Sequence, residues 1–230
     1  PGGGPARPFM VAPRALILLL VVALSGAGAG SAPGAECVAL DDFSRGAIGE
    51  FPPDWKPRKD AGRPVYSIQE EGGQRFLHAA ATRLGIQAGR EVAWNLDVYP
   101  ILAWSWRPIE FPAGSDERKS STNDSAVSVY AVFPGSAVSV KSVKYVWSRV
   151  VPVGTHFTSS AGNTQARVLR TGTDRVGQWV EEQVNVREDY RKYFGGSDVP
   201  RPAGIAVLTD SDDTRSTARG DYASFRVCKS

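Results

Sequence analysis

The stretch "ILAWSWRPI" (Ile101–Ile109) decides how the chain is read. In an extended backbone successive side chains point to opposite faces, so Leu102, Trp104 and Trp106 share one face and Ala103, Ser105 and Arg107 the other. A tryptophan pair left exposed would make a stacking platform for sugar rings. A leucine on the same face argues instead for burial. The segment therefore reads as a strand with one face in a core, leaving Arg107 on the opposite face as the better candidate for contact with a ligand.

The same two-residue alternation recurs on both sides, interrupted by clusters of Gly, Pro, Asp and Ser. It predicts strands over residues 37–43, 64–69, 75–81, 90–98, 125–133, 142–150, 166–172, 178–186, 203–210 and 221–228, with "EEGGQ" turning a hairpin before Arg75. So many short strands suggest two packed antiparallel sheets. "NVREDYRKYFGG" breaks the rhythm. Asn185 followed three residues later by Glu188 has the spacing of a capping box. Val186, Tyr190 and Phe194 then fall on one helical face, and Gly195–Gly196 end the helix. The expectation is an all-β, jelly-roll-like sandwich with one short α-helix. The polar run 111–125 is its longest loop and by composition a mobile one, suited to a lid.

Before these strands stands "ALILLLVVAL" (Ala15–Leu24), with Arg7 and Arg14 ahead of it and small residues after it. A basic start, a short apolar run and an Ala-x-Ala-like exit describe a cleaved export signal. The run is half of the ~20 residues a spanning helix needs. Residues 1–35 are thus assigned to the signal and its flank, and 36–230 to a single domain that is periplasmic or secreted, with no membrane span after cleavage. Loss of Arg7 and Arg14 lowers the formal charge of +3 by two. The remaining basic residues are scattered and form no stripe that would hold a nucleic acid. In an exported chain, Cys37 and Cys228 at opposite ends of the domain are expected to pair, which requires the first and last strands to be neighbours.

Candidate chemistry concentrates in "LTDSDDT" (Leu208–Thr214). Asp210, Asp212 and Thr214 match the first three alternate positions of an EF-hand loop, but Arg215 occupies the place that needs Gly, and the flanks read as strands. A looser oxygen site for Ca²⁺ remains, built from Asp210 and Asp212 and completed by Asp221 or by Asp41–Asp42. So do an acidic turn, in which Asp and Thr bond local backbone, and a catalytic use of the carboxylates. Glu181 and Glu182 are adjacent on a strand, so only one of them can enter a shared cleft. Trp55, in the Pro-rich "FPPDWKP", reads as the exposed tryptophan, and Tyr130, alternating with Ser128 and Val132, as a neighbour for Arg107. Two histidines far apart and two paired cysteines give no zinc set. No GxSxG elbow and no phosphate-binding glycine loop is present.

Taken in order, "DDF", "ILAWSWR", "NDSAVSVYAVF", "KYVW", "QWVEEQVNVREDYRKYFGG", "GIAVLTDSDDT" and "GDYASF" resemble an exported bacterial family, the domain of unknown function number 3047. The resemblance spans about Leu40 to Phe225 and implies export and this fold, but no activity. Relatives show paired Asp where this chain has Asn123–Asp124, Arg where it has Ser128, and Asn in place of Asp213.

The expected function is an exported, non-catalytic module that binds a carbohydrate or envelope glycan through Arg107, Asp124, Tyr130, Glu181 and Trp55. One alternative is a glycan hydrolase or lyase, which requires Arg107, Asp124, Glu181 and Asp212 to converge in one cleft. The other is a structural partner of envelope proteins, which requires a broad apolar patch.

Overall fold

The computed structural model describes residues 2, 36–135, 140–159 and 163–230; the expected signal segment otherwise lies outside the described residues. From Ala35 onward the chain forms one compact unit. Its strands are β1 (Cys37–Asp41), β2 (Lys56–Pro57), β3 (Tyr66–Glu71), β4 (Gln74–Thr82), β5 (Ala88–Glu91), β6 (Ile101–Glu110), β7 (Val127–Phe133), β8 (Lys141–Ser148), β9 (His156–Ser159), β10 (Thr164–Thr171), β11 (Val180–Asn185), β12 (Gly204–Leu208) and β13 (Thr217–Cys228). Among the described residues one α-helix, α1 (Val186–Phe194), follows β11 without a break.

Two sheets result. The six-stranded sheet runs β11-β6-β13-β4-β3, with β1 also paired to β13, and the seven-stranded sheet runs β2-β5-β12-β7-β8-β10-β9. Pairing is antiparallel except between β8 and β10, which run parallel because β9 turns back between them. β13 carries β6 along one side and, on the other, β4 over its first half and β1 over its last residues. Where the partner changes, Ser224 takes a left-handed φ of 56° and the register with β6 shifts, a bulge that bends the strand.

The core lies between the sheets. Leu102, Trp104 and Trp106 are fully buried, and Trp104 and Trp106 meet edge to face at 5.3 Å. Across the interior they pack on Tyr145 and Trp147 of β8, at 5.5 and 6.0 Å between centroids. Burying each such side chain stabilises by roughly 1.5–3 kcal/mol. Cys37 and Cys228 are disulfide-bonded across 191 positions of sequence. The Asn185 side chain accepts from the Glu188 amide at 3.1 Å, the cap its spacing predicts. Among the described residues no helix is long and apolar enough to cross a membrane.

Three expectations need correction. The strand predicted over 90–98 ends at Glu91. Asn95 then accepts from the Asp97 amide and forms a turn that takes Trp94 and Leu96 into the core without a ladder partner. Trp55 is 2 % exposed. Its loop turns inward, stacking the indole on Phe43 and Phe225 while Nε1 donates to Asp41 at 2.7 Å. The polar loop 111–125 is packed, not loose, and buries Ser115, Asp116 and Glu117.

Candidate functional site

The strands that build the core present two further faces, and chemistry-bearing side chains stand on both. On the outer face of the six-stranded sheet, β4, β6 and β13 bring His78, Arg107 and Asp221 together. Asp221 is 2 % exposed. One of its oxygens lies 2.6 Å from His78 Nδ1, and the other accepts from Arg107 Nε at 2.6 Å. Arg107 also pairs with Glu71 at 2.7 Å and lies over the rings of Trp179 and Phe76, at 4.6 and 5.2 Å. Every polar atom of the Asp221 carboxylate is therefore engaged, as a structural network requires.

The outer face of the seven-stranded sheet is differently built. β7 turns Ser128, Tyr130 and Val132 to this face, β8 turns Ser142, Lys144, Val146 and Ser148, and β12 turns Ala206 and Leu208; their alternate neighbours are in the core. Lys144 is 5 % exposed, and its ammonium stands 5.7 Å from the centre of the Tyr130 ring. Loop 111–125 brings Glu117 to the same face. Ser148 Oγ donates to one Glu117 oxygen at 2.5 Å and Ser125 Oγ to the other at 3.2 Å. At the end of β12, Asp210 enters the cluster, 7 % exposed.

The electrostatics follow from burial with few partners. Desolvation pushes the Asp210 carboxyl up to about 9, helped by the neighbouring Asp212 carboxyl, while Lys144 opposes the rise. Burial likewise raises Glu117, against its bonds from Ser148 and its own backbone and against the Lys144 charge. For Lys144 burial works the other way, but Tyr130, Asp210 and Glu117 around it hold its pKa above the ordinary lysine value. Near pH 7 the face thus holds a charged lysine beside an Asp210 kept protonated. Ser128 Oγ, Asp210 Oδ1 and Ser211 Oγ are buried here without hydrogen-bond partners.

The turn after Asp210 is ordered from below. The Asp124 carboxylate, fully buried, accepts from the Asp213 amide at 3.3 Å, the Thr214 amide at 2.7 Å and the Thr214 hydroxyl at 2.6 Å. Tyr222 crosses the core from β13, donating to the Leu208 carbonyl at 2.9 Å and accepting from the Ser128 amide at 3.2 Å. It so pins the ends of β12 and β7 together. Arg83 and Arg215, both at left-handed φ near 53–54°, line a cavity of about 500 Å³ with Asp212. Such φ values cost energy in residues that carry a Cβ and gather where a loop is shaped by its neighbours.

The residues singled out by sequence do not form one cleft. Arg107, Asp221 and Glu181 lie on the six-stranded sheet, Glu181 paired with Arg226 at 2.5 Å. Asp124, Tyr130, Asp210 and Asp212 belong to the seven-stranded sheet and its loops. Tyr130 is accordingly no neighbour of Arg107, and Asp221 does not join Asp210 and Asp212. Asp41 is committed to Trp55 and Arg90. The set Arg107, Asp124, Glu181 and Asp212, on which the hydrolase reading depended, is dispersed. Sequence reading missed Lys144 and Glu117. The alternation of "KSVKYVWS" does place Lys144 opposite the core-facing Tyr145, whereas nothing local marks Glu117 within its loop.

Fold and site define an all-β, jelly-roll-like sandwich with a buried polar cluster on one sheet. The model of the family described as "Protein of unknown function (DUF3047)" matches residues 54–226, and the chain belongs to that family. No curated protein sequence matches it. Among solved structures it is similar to the family 11 carbohydrate-binding module of the cellulosomal cellulase Lic26A-Cel5E of Clostridium thermocellum, at 8 % identity over 86 % of this chain and 97 % of that one, TM-score 0.46. It is also similar to a thermostable Cel12A cellulase derived from that of Rhodothermus marinus, at 12 % identity over 77 % and 97 % of the two chains, TM-score 0.42. TmCBM61, solved with β-1,4-galactotriose, aligns at 12 % identity over 79 % and 92 %, TM-score 0.40.

Proposed function

We propose that the protein is an exported module that binds a saccharide on the outer face of its seven-stranded sheet. The observation that carries this reading is the pair of buried hydroxyls without partners, Ser128 Oγ and Ser211 Oγ, in the company of Lys144, Tyr130 and Glu117. Buried polar groups cost about 1–3 kcal/mol each when left unpaired. A ligand carrying many hydroxyls supplies both donors and acceptors to such a set. The test is a glycan panel against the disulfide-bonded protein. Saturable binding is expected, weakened at least tenfold by Lys144→Met and unaffected by Arg107→Ala on the opposite face. Folded protein that binds nothing, or binding that follows Arg107 instead, would sink the proposal.

One observation favours a second reading. Glu117 and Asp210 are both held toward their protonated forms beside a lysine, the arrangement an acid–base catalyst needs near neutral pH. A glycan hydrolase or lyase would then use these groups and not the four named from sequence. Release of reducing ends or unsaturated products from a polysaccharide, abolished by Glu117→Gln, would establish it. Binding without turnover would reject it.

A further inference from the structure

We propose that the turn Asp210–Asp213, together with Asp124, forms a binding site for a divalent cation of the calcium class. The proposal is independent of whether the protein binds a saccharide. Asp124, Asp212 and Asp213 each present one carboxylate oxygen, and these oxygens lie within 4.8 Å of one another. Three strands' worth of chain converge to place them: Asp124 precedes β7, whereas Asp212 and Asp213 sit in the loop from β12 to β13.

A second observation, separate from that grouping, points to a ligand. Asp210 is 7 % exposed, and its Oδ1 has no hydrogen-bond partner. This oxygen is aimed at the Asp212 side of the turn. A Cβ added to Gly85 would stand within about 2.5 Å of both Asp210 Oδ1 and Asp212 Oδ1. Gly85 has an ordinary φ, so the absence of a side chain there serves space and not backbone freedom. The two oxygens pack directly over Gly85, where any side chain would collide with both.

The donor set is entirely carboxylate. Such hard oxygen ligands suit Ca²⁺, which accepts six to eight of them in irregular geometry, better than Mg²⁺, which demands a near-ideal octahedron, or zinc, which prefers nitrogen and sulfur. Asp124 is held by three donors from residues 213 and 214, so its position is set before any ion arrives. Cations of the protein stand nearby. Lys144 acts on Asp210 through space, and Arg83 and Arg215 line the cavity that opens on Asp212. Among the described residues no ion pair ties either arginine to these aspartates.

The test uses the whole protein, stripped with chelator and dialysed, then titrated calorimetrically with CaCl₂ and separately with MgCl₂. One calcium per chain is expected, bound at least tenfold more tightly than magnesium. The thermal midpoint should rise by about 5–10 °C at a hundredfold excess over Kd. Asp212→Asn should weaken calcium at least tenfold. Asp213→Asn provides the same reading should the first variant fail to fold, and Gly85→Ala should abolish binding by displacing the Asp210 and Asp212 oxygens. Folded protein that takes up no calcium overturns the site. Calcium binding indifferent to both Asn variants places the ion elsewhere and overturns it too. Magnesium bound as tightly as calcium overturns the assigned class.

Discussion

Ser148 Oγ lies 2.5 Å from Glu117 Oε2 and itself accepts the amide of Val151 at 2.9 Å. One hydroxyl at the end of β8 thereby orders both the loop that precedes β7 and the loop that leaves β8. Removing it leaves one oxygen of the buried Glu117 carboxyl without its donor. Ser148→Ala is expected to cost about 1–3 kcal/mol in urea unfolding and to weaken any ligand that Glu117 contacts. Thr at this position should recover most of the loss.

Asp210 gives a pH dependence of definite sign. Its folded pKa, pushed up to about 9, stands above the ordinary carboxylate value of 3.8. The native state therefore binds the proton more tightly than the unfolded chain, so this group lowers stability as pH rises between those two values. Asp210→Asn keeps the neutral shape and removes the titration. In chelator, the variant should match the parent near pH 4 and exceed it in denaturant midpoint at pH 8. Equal midpoints at both pH values would contradict the assignment.

Tyr222 joins the two sheets through a single hydroxyl, bonded to Leu208, Ser128 and Thr209. Tyr222→Phe leaves the Leu208 carbonyl, the Ser128 amide and the Thr209 hydroxyl without that partner inside the core. A loss of about 2 kcal/mol is expected, together with faster amide exchange at Ser128.

On the opposite face, Asp221 is buried between His78 and Arg107. Asp221→Ala leaves the Arg107 guanidinium without its buried partner and should destabilise by about 3–5 kcal/mol. It should leave saccharide and calcium affinity at their parental values in the folded fraction. A change in either affinity would mean that the two faces communicate through β13.

Reduction of the Cys37–Cys228 bridge should cost about 2–5 kcal/mol in unfolding free energy. The loss should appear first as exchange of the β1 amides, because among the described residues β1 pairs with β13 alone.

Strand identity was legible wherever alternation and burial agreed, as at Leu102, Trp104 and Trp106 or along Val127–Phe133. It misled at Val92, Trp94 and Leu96, where the same alternation serves side chains that enter the core from a turn. The Asn185 cap was legible because its partner lies three residues away. The acidic turn was legible as a feature but not in its membership. Asp124 reaches it from 88 positions upstream of Asp212, and only the pairing of β7 with β12 brings them together. Asp221 failed for the opposite reason. Closer in sequence, it sits on a strand whose pleat turns it to the other sheet's outer face. Trp55 was read from the prolines around it, and an indole that finds a carboxylate inside the fold overrides such a composition.

The order of strands has a consequence for how the molecule comes into being. β13, the strand that follows the other twelve in sequence, is the one that joins β6 and β11 to β4 and β3 and gives β1 its place. Until those twelve residues arrive, the six-stranded sheet exists only as two separate pairs and a lone strand, none able to cover the Trp104 side of the core. The six-stranded sheet therefore closes only when β13 docks, and its two halves depend on one strand for their union.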